Sequence, residues 1–331
     1  MNRRFLKLMS LALCGAALAF VSCGSNVKKT EKEEALVKAP AFVADSAYAY
    51  TAAQVAFGPR TMGSQAHEAC ADYLEQMLAS FGAKVYRQQF EATLYNGERY
   101  PAVNLIGAFN PEARKRVMLC SHWDSRPWAD NDPDEKNHHT PILGANDGAS
   151  GVGVLLEMAR QMQQQAPEIG VDLIFFDAED AGVPQFESYG DEDTWCLGSQ
   201  FWARRPHVPG YNARFGVLLD MVGGSGATFL QEGYSKEYAS AAMKKIWKMA
   251  DRLGYGNYFP SKNGGYVTDD HVPVNQVAKI PCVDIIPCYE HCEQSSFGPY
   301  WHTVDDTMEH IDKATLQAVG QTLMEVIYNE K

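Results

Sequence analysis

Several short apolar runs in this sequence stop at residues able to bind a metal or carry a proton. Val117-Met118-Leu119-Cys120 runs into Ser121-His122-Trp123-Asp124-Ser125. Asp172-Leu173-Ile174-Phe175-Phe176 runs into Asp177, Glu179 and Asp180, and the run from Phe215 to Leu219 stops at Asp220. A catalytic zinc takes about three protein ligands from His, Asp and Glu and keeps a further position open for substrate. A carboxylate left free beside such an ion can move protons. Singly, these residues are ordinary. Asp147 at a helix start reads as a cap, Glu179-Asp180 as solvated charge, and His302 as a surface histidine. Their joint arrangement at the ends of apolar runs is what suggests a site.

Elements must hold these residues in place. Residues 66–80 carry Ala71, Leu74, Met77 and Leu78 at helical spacing, and the segment after Asp147 puts Val152, Leu155, Leu156, Ala159 and Met162 on one face. Lys236 to Leu253 and Lys313 to Tyr328 also read as helices. Val85 to Leu94, Ala102 to Phe109, the three runs above and Val283-Asp284-Ile285-Ile286 read as strands. Buried strands alternating with helices predict an α/β fold, a single-domain sandwich whose mixed, largely parallel central sheet is flanked by helices. In such sheets ligand sites gather at the carboxyl ends of the strands, and the acidic and histidine clusters stand there. No Pro/Gly-rich linker divides residues 41–331, so one domain is expected.

Composition narrows the partners. The 331 residues are 46% apolar and 11% aromatic, enough for an ordinary packed core, and carry a formal charge of −12. So acidic a chain is a poor binder of nucleic acid or of an anionic membrane face. Arg3, Arg4 and Lys7 precede an apolar stretch, Leu8 to Val21, that is too short to span a bilayer and reads as an export signal. It closes on Ala19-Phe20-Val21-Ser22-Cys23-Gly24, which resembles a bacterial lipoprotein cleavage site with Cys23 as the acylated residue. Loss of residues 1–22 removes those three basic residues and moves the charge from −12 to −15. Residues 23–40, charged from Lys28 to Glu34, read as a tether. The expected location is the periplasmic side of the cell envelope, as a monomer on a lipid anchor.

Cys70, Cys120, Cys196, Cys282, Cys288 and Cys292 would remain in a compartment that permits disulfides. Cys288 and Cys292 are spaced for a local one. No CxxC pair is present, so a structural zinc on cysteines is not expected.

From about Phe57 onward the chain resembles the zinc exopeptidase superfamily of secreted aminopeptidases. The motifs match in order: Gly58-Pro59-Arg60-Thr61-Met62-Gly63-Ser64, Ser121-His122-Trp123-Asp124-Ser125, Gly144-Ala145-Asn146-Asp147-Gly148-Ala149, Phe175-Phe176-Asp177-Ala178-Glu179-Asp180, and Trp301-His302-Thr303 followed by Asp305-Asp306. Leu218-Leu219-Asp220-Met221 and Asp269-Asp270-His271 fall between the last two. The ordered set is specific where any one motif is weak. The resemblance implies a single α/β sandwich, in agreement with the strand pattern.

Within that superfamily the chain is similar to the animal-type glutaminyl cyclases, which bind one zinc. The resemblance implies Asp147, Asp180 and His302 as ligands, Glu179 as the proton carrier, and Asp269 and Asp220 as an acidic network behind it. It implies Trp301 and Trp195 as walls of the substrate pocket. Asp180 replaces the usual second Glu of the Asp-x-Glu-Glu run. Asp284 stands where the family often has His, and is assigned to the substrate-binding residues, with membership of the acidic network as the alternative. The segment from Tyr289 to Tyr300 looks longer than in the animal enzymes. The implied reaction turns an N-terminal glutamine of a peptide or protein into pyroglutamate, with one Zn²⁺ per chain. The competing reading is an aminopeptidase with His122 and Asp220 on one ion, Asp180 and His302 on another, and Asp147 bridging. A binding protein without activity on the same scaffold is a third.

Overall fold

The structure, a computed structural model, describes residues 37–188 and 192–331. The expected export signal, Cys23 and the tether up to residue 36 lie outside the described residues. Val37 is already held, its N–H donating to Asn329 Oδ1 at 2.8 Å, and Ala39 is buried. Among the described residues no helix is long and apolar enough to cross a membrane.

Six strands form one mixed sheet: β1 (Lys84–Thr93), β2 (Arg99–Phe109), β3 (Arg116–His122), β4 (Gly170–Phe176), β5 (Gly216–Leu219) and β6 (Cys282–Ile285), in the order β1-β2-β4-β3-β5-β6. The β4–β3, β3–β5 and β5–β6 pairs are parallel, while β1–β2 and β2–β4 are antiparallel. Every residue of β4 is buried, as a near-continuous apolar strand covered on both faces must be. Leu119 of β3 lies opposite Leu173 of β4 and Val217 of β5, and His122 lies opposite Phe176. The carboxyl ends of β3, β4 and β5 therefore share one edge of the sheet. This is the α/β sandwich expected from the strand pattern.

The pleat divides the apolar side chains between two layers. Val117, Leu119, Leu173, Phe175, Val217 and Leu219 face the larger core, packed under α1 (Ala44–Val55), α2 (Gln65–Ser80), α3 (Ala149–Gln164), α5 (Gly233–Arg252) and α7 (Lys313–Tyr328). Met118, Cys120, Ile174, Phe176 and Leu218 face the smaller one, with Trp202 of α4 (Leu197–Arg204) and Val274 of α6 (His271–Gln276). The sequence pattern does not announce α1, α4 and α6. The apolar residues of α1 are mostly alanines scattered around the helix. Helices α4 and α6 are too short to show a period, and α6 contains Pro273.

Helix α3 lies directly on the sheet at Gly151. A Cβ there would sit 2.4 Å from Ser121 Oγ and 2.5 Å from Leu219 O. The missing side chain lets the helix start close over the ends of β3 and β5, and so delivers Asp147 to that edge. All six cysteines of the described region are free thiols, so the local Cys288–Cys292 disulfide is not formed. Tyr289 to Cys292 instead closes as a turn, with Cys292 N–H donating to Tyr289 O at 3.0 Å.

Candidate active site

The residues expected at strand ends meet at that shared edge. His122 closes β3, Glu179 and Asp180 follow β4, and Asp220 follows β5. Asp147 leads into α3, Asp269 and Asp270 into α6, and His302 arrives from the loop before α7. Oxygens of Asp147 and Asp180 and a ring nitrogen of His302 lie within 4.8 Å of one another. His302 Nε2 is 3.2 Å from Asp180 Oδ1 and 3.6 Å from Asp147 Oδ2. A second group shares Asp147: His122 Nε2 lies 3.0 Å from Asp147 Oδ1 and 3.2 Å from Asp220 Oδ1. Glu179, Cys196 and Asp269 form a third group within 4.8 Å, and Asp269, His271 and Asp284 a fourth.

The loops are held by carboxylates. Asp124 accepts from the N–H groups of Glu179 and Asp180, both at 3.1 Å. Asp306 accepts from Asn146 N–H at 2.7 Å and Asp147 N–H at 3.0 Å. The backbone is strained at the same places: Ala178, Cys196, Met221 and His302 all have left-handed φ, between 50° and 56°. Such conformations persist only where surrounding contacts enforce them, and they concentrate at functional sites.

The site fits a small divalent cation. Asp147 Oδ2 and Asp180 Oδ2 are buried without a hydrogen-bond partner, a costly state for ionised carboxylates unless a cation answers them. Two carboxylates and one imidazole form a zinc-type donor set, and bonds of about 2.0–2.1 Å in tetrahedral geometry put neighbouring ligands roughly 3.3 Å apart. The 3.2 and 3.6 Å separations from His302 Nε2 match that spacing.

Charge crowding sets the proton affinities. Burial, then the charges of Asp180, Asp269 and Asp270, hold the Glu179 carboxyl well above the usual range against the opposing pull of His122. Asp269 is pushed up to about 7 by burial and by Asp220, and Asp220 to about 6 by burial and Asp147. Burial would lower His122, but Asp124, Asp147 and Asp220 outweigh it and raise it well above an ordinary histidine.

The indole of Trp301 stacks on His302 with centroids 3.9 Å apart, and Trp195 lies parallel to the same imidazole at 6.2 Å. Asp284 is placed differently from these. It is fully buried on β6, 3.6 Å from His271 Nδ1, with neither carboxylate oxygen hydrogen-bonded.

Sequence reasoning singled out neither Arg126 nor Asp130. The fully buried Arg126 guanidinium grips Asp130, reaches the Asp180 carbonyl at 3.0 Å and lies 4.5 Å from the Trp195 ring centre. Asp130 in turn stands 3.3 Å from His302 Nδ1, the side of the ring away from Asp180. A carboxylate there orients a ligating histidine. The only local signal is that Arg126 directly follows the Ser121–Ser125 motif.

Residues 104–327 match the family model described as peptidase family M28. The chain belongs to peptidase family M28. The chain is similar to a structure of the glutaminyl cyclase of Bacteroides thetaiotaomicron bound to N-acetylhistamine, 57% identical, covering 89% of this chain and 100% of that one with a TM-score of 0.86. A Zn-dependent exopeptidase from Parabacteroides distasonis is 54% identical over 88% of this chain and 100% of its own, with a TM-score of 0.87. The glutaminyl-peptide cyclotransferase of Bos taurus is 28% identical over 251 residues, 66% of this chain. This M28 chain spans 64% of the bovine protein's length.

Proposed function

We propose that the protein is a glutaminyl-peptide cyclotransferase, closing an N-terminal glutamine of peptides and proteins into pyroglutamate with release of ammonia. The observation that carries this reading is the position of Glu179, beside the Asp147–Asp180–His302 group but outside it, in a chain 57% identical to a glutaminyl cyclase. Asp147, Asp180 and His302 would hold one zinc per chain. When bound, the ion supplies a Lewis acid for the γ-carbonyl oxygen of the substrate.

The other work falls to the protein. The substrate's α-amine attacks its own γ-carboxamide carbon, the new C–N bond forms, and the bond to the leaving nitrogen breaks. Glu179 takes a proton from the attacking amine and returns it to that nitrogen, which departs as ammonia. Asp269, with Asp220 behind it, keeps the proton affinity of Glu179 high enough for both transfers. Trp301 and Trp195 wall the pocket and hold the glutamine side chain curled, which makes attack effectively unimolecular. Arg126 and Asp130 steady the Asp180 loop and His302. Asp284, buried behind Asp269, belongs to the acidic network and contacts substrate only through it.

A single ion suffices because the nucleophile is an amine and not a water that must be ionised. In the second group, His122 in its protonated form would lie between Asp147 and Asp220 and supply the positive charge there. That same group, with Asp147 shared, is the observation that favours the alternative, a two-metal aminopeptidase. Peptides beginning with Gln and with Leu separate them. Ammonia and a pyroglutamyl product from the first are expected; free leucine from the second, without ammonia from the first, would overturn the cyclase reading.

Residues 41–331 form the catalytic domain in this proposal. The segment before it carries export, acylation at Cys23 and tethering of a monomer on the periplasmic side.

A further inference from the structure

We infer that Cys196 is a positioning residue, its thiol holding the Glu179 carboxylate in the orientation from which it meets the substrate amine. This rests on the reading of Glu179 as proton carrier and deepens it.

Cys196 Sγ donates to Glu179 Oε1 at 3.2 Å. Among the described residues it is the side chain seen to donate to that carboxylate. The sulfur, a Glu179 oxygen and an Asp269 oxygen all lie within 4.8 Å of one another. The thiol thus stands with both carboxylates of the proposed proton path.

Local structure forces it there. Cys196 N–H donates to Glu179 O, and Leu197 N–H to Ala178 O, both at 3.0 Å. These two bonds clamp the start of α4 onto the segment leaving β4. Gly198 completes the clamp, since a Cβ there would lie 2.2 Å from Asp177 O. Cys196 itself takes a left-handed φ of 56° at the head of the helix, a cost retained where several contacts agree. Only 2% of the residue is exposed. Burial, then the charges of Glu179, Asp270 and Asp269, keep its proton affinity well above that of a free thiol, so the sulfur is a donor and not a nucleophile. With Oε1 engaged by the thiol, Oε2 remains to accept the proton of the amine.

A buried cysteine that only fills space predicts different behaviour. With Gln-peptides, Cys196→Ala should lower kcat about 3- to 10-fold and leave KM within about twofold, the size of one hydrogen bond from a weak thiol donor. Cys196→Ser keeps a donor and should recover most of the loss. Independently of turnover, the infrared S–H stretch assigned by its disappearance in Cys196→Ala should move to higher frequency in Glu179→Gln. Wild-type kcat in Cys196→Ala, a serine variant no better than alanine, or an S–H band indifferent to Glu179→Gln would each overturn the assignment. If the wild-type protein releases no ammonia from Gln-peptides, the functional reading fails instead. The S–H band then still decides whether the thiol holds Glu179.

Discussion

At the scale of single residues, the site gathers far more negative charge than its buried cations answer. Glu179, Asp180, Asp220, Asp269, Asp270 and Asp284 are all held above ordinary carboxylate values, in each case first by burial. Such a cluster is stable only if protons, histidine charge or a metal ion offset it. The division of labour follows from position. Asp147 turns its unpartnered Oδ2 toward His302, Asp180 turns Oδ1 toward it and keeps Oδ2 unpartnered, whereas Glu179 is engaged by a thiol and stays outside that group. Glu179→Gln keeps the shape and removes the group proposed as proton acceptor. Its kcat should fall about 10²–10⁴-fold, the usual size of general acid–base help, while zinc content stays at the wild-type level. Ammonia release and metal analysis on one preparation check both halves, and a glutamine variant of near-normal activity would remove Glu179 from the reaction.

At the scale of elements, the strands bring the site together and the helix starts fix it. Helix α5 is capped by Glu232, whose carboxylate accepts from Tyr234 N–H at 2.8 Å and Ser235 N–H at 2.6 Å, and stands 3.2 Å from His271 Nε2 at the head of α6. The one side chain joins two helix starts on opposite faces of the sheet. Burial alone would raise the Glu232 carboxyl, but His271 and the Ser235 donors outweigh it and bring it down to about 2. A carboxyl depressed in the folded state stabilises above its unfolded value. That contribution is complete above about pH 4.5 and is lost as pH falls from there toward 2. It amounts to on the order of 3 kcal/mol. Glu232→Gln should therefore lower the melting temperature at pH 7 and lose less stability than wild type between pH 5 and about 3. Parallel melting curves across that range measure it; identical acid profiles would show that Glu232 is not the linked group.

At the scale of the molecule, the fold closes around the site from distant parts of the chain. His122, Asp147, Asp180 and His302 come from four separate segments, and a cation holding the last three exists as a complete site only in the folded state. A ligand that binds only the folded form raises stability, by about 2.7 kcal/mol at a hundredfold excess over its dissociation constant. Metal analysis should return one zinc per active chain. A chelator should lower the melting temperature by several degrees, and added zinc should restore it. Two tightly held ions per active chain would favour the peptidase reading, and a melting temperature blind to chelation would remove the metal from the site.

What was legible in the sequence is what local composition encodes. The run Leu173 to Phe176 ending at Asp177-Ala178-Glu179-Asp180 announces both a buried strand and the chemistry at its end, because burial on both faces demands apolar side chains and the strand terminus does not. Helices α3 and α7 show their period over four turns. Helices α4 and α6 do not, having too few residues for a period to appear. Only the tertiary structure decided that Asp130 backs His302 from 172 residues away, that Arg126 lies against the Trp195 ring, and that a cysteine 17 residues on donates to Glu179. Those contacts depend on the strand order β1-β2-β4-β3-β5-β6 and on where each helix lands. Both are set by the packing of the whole core, for which no single stretch of sequence carries a local sign.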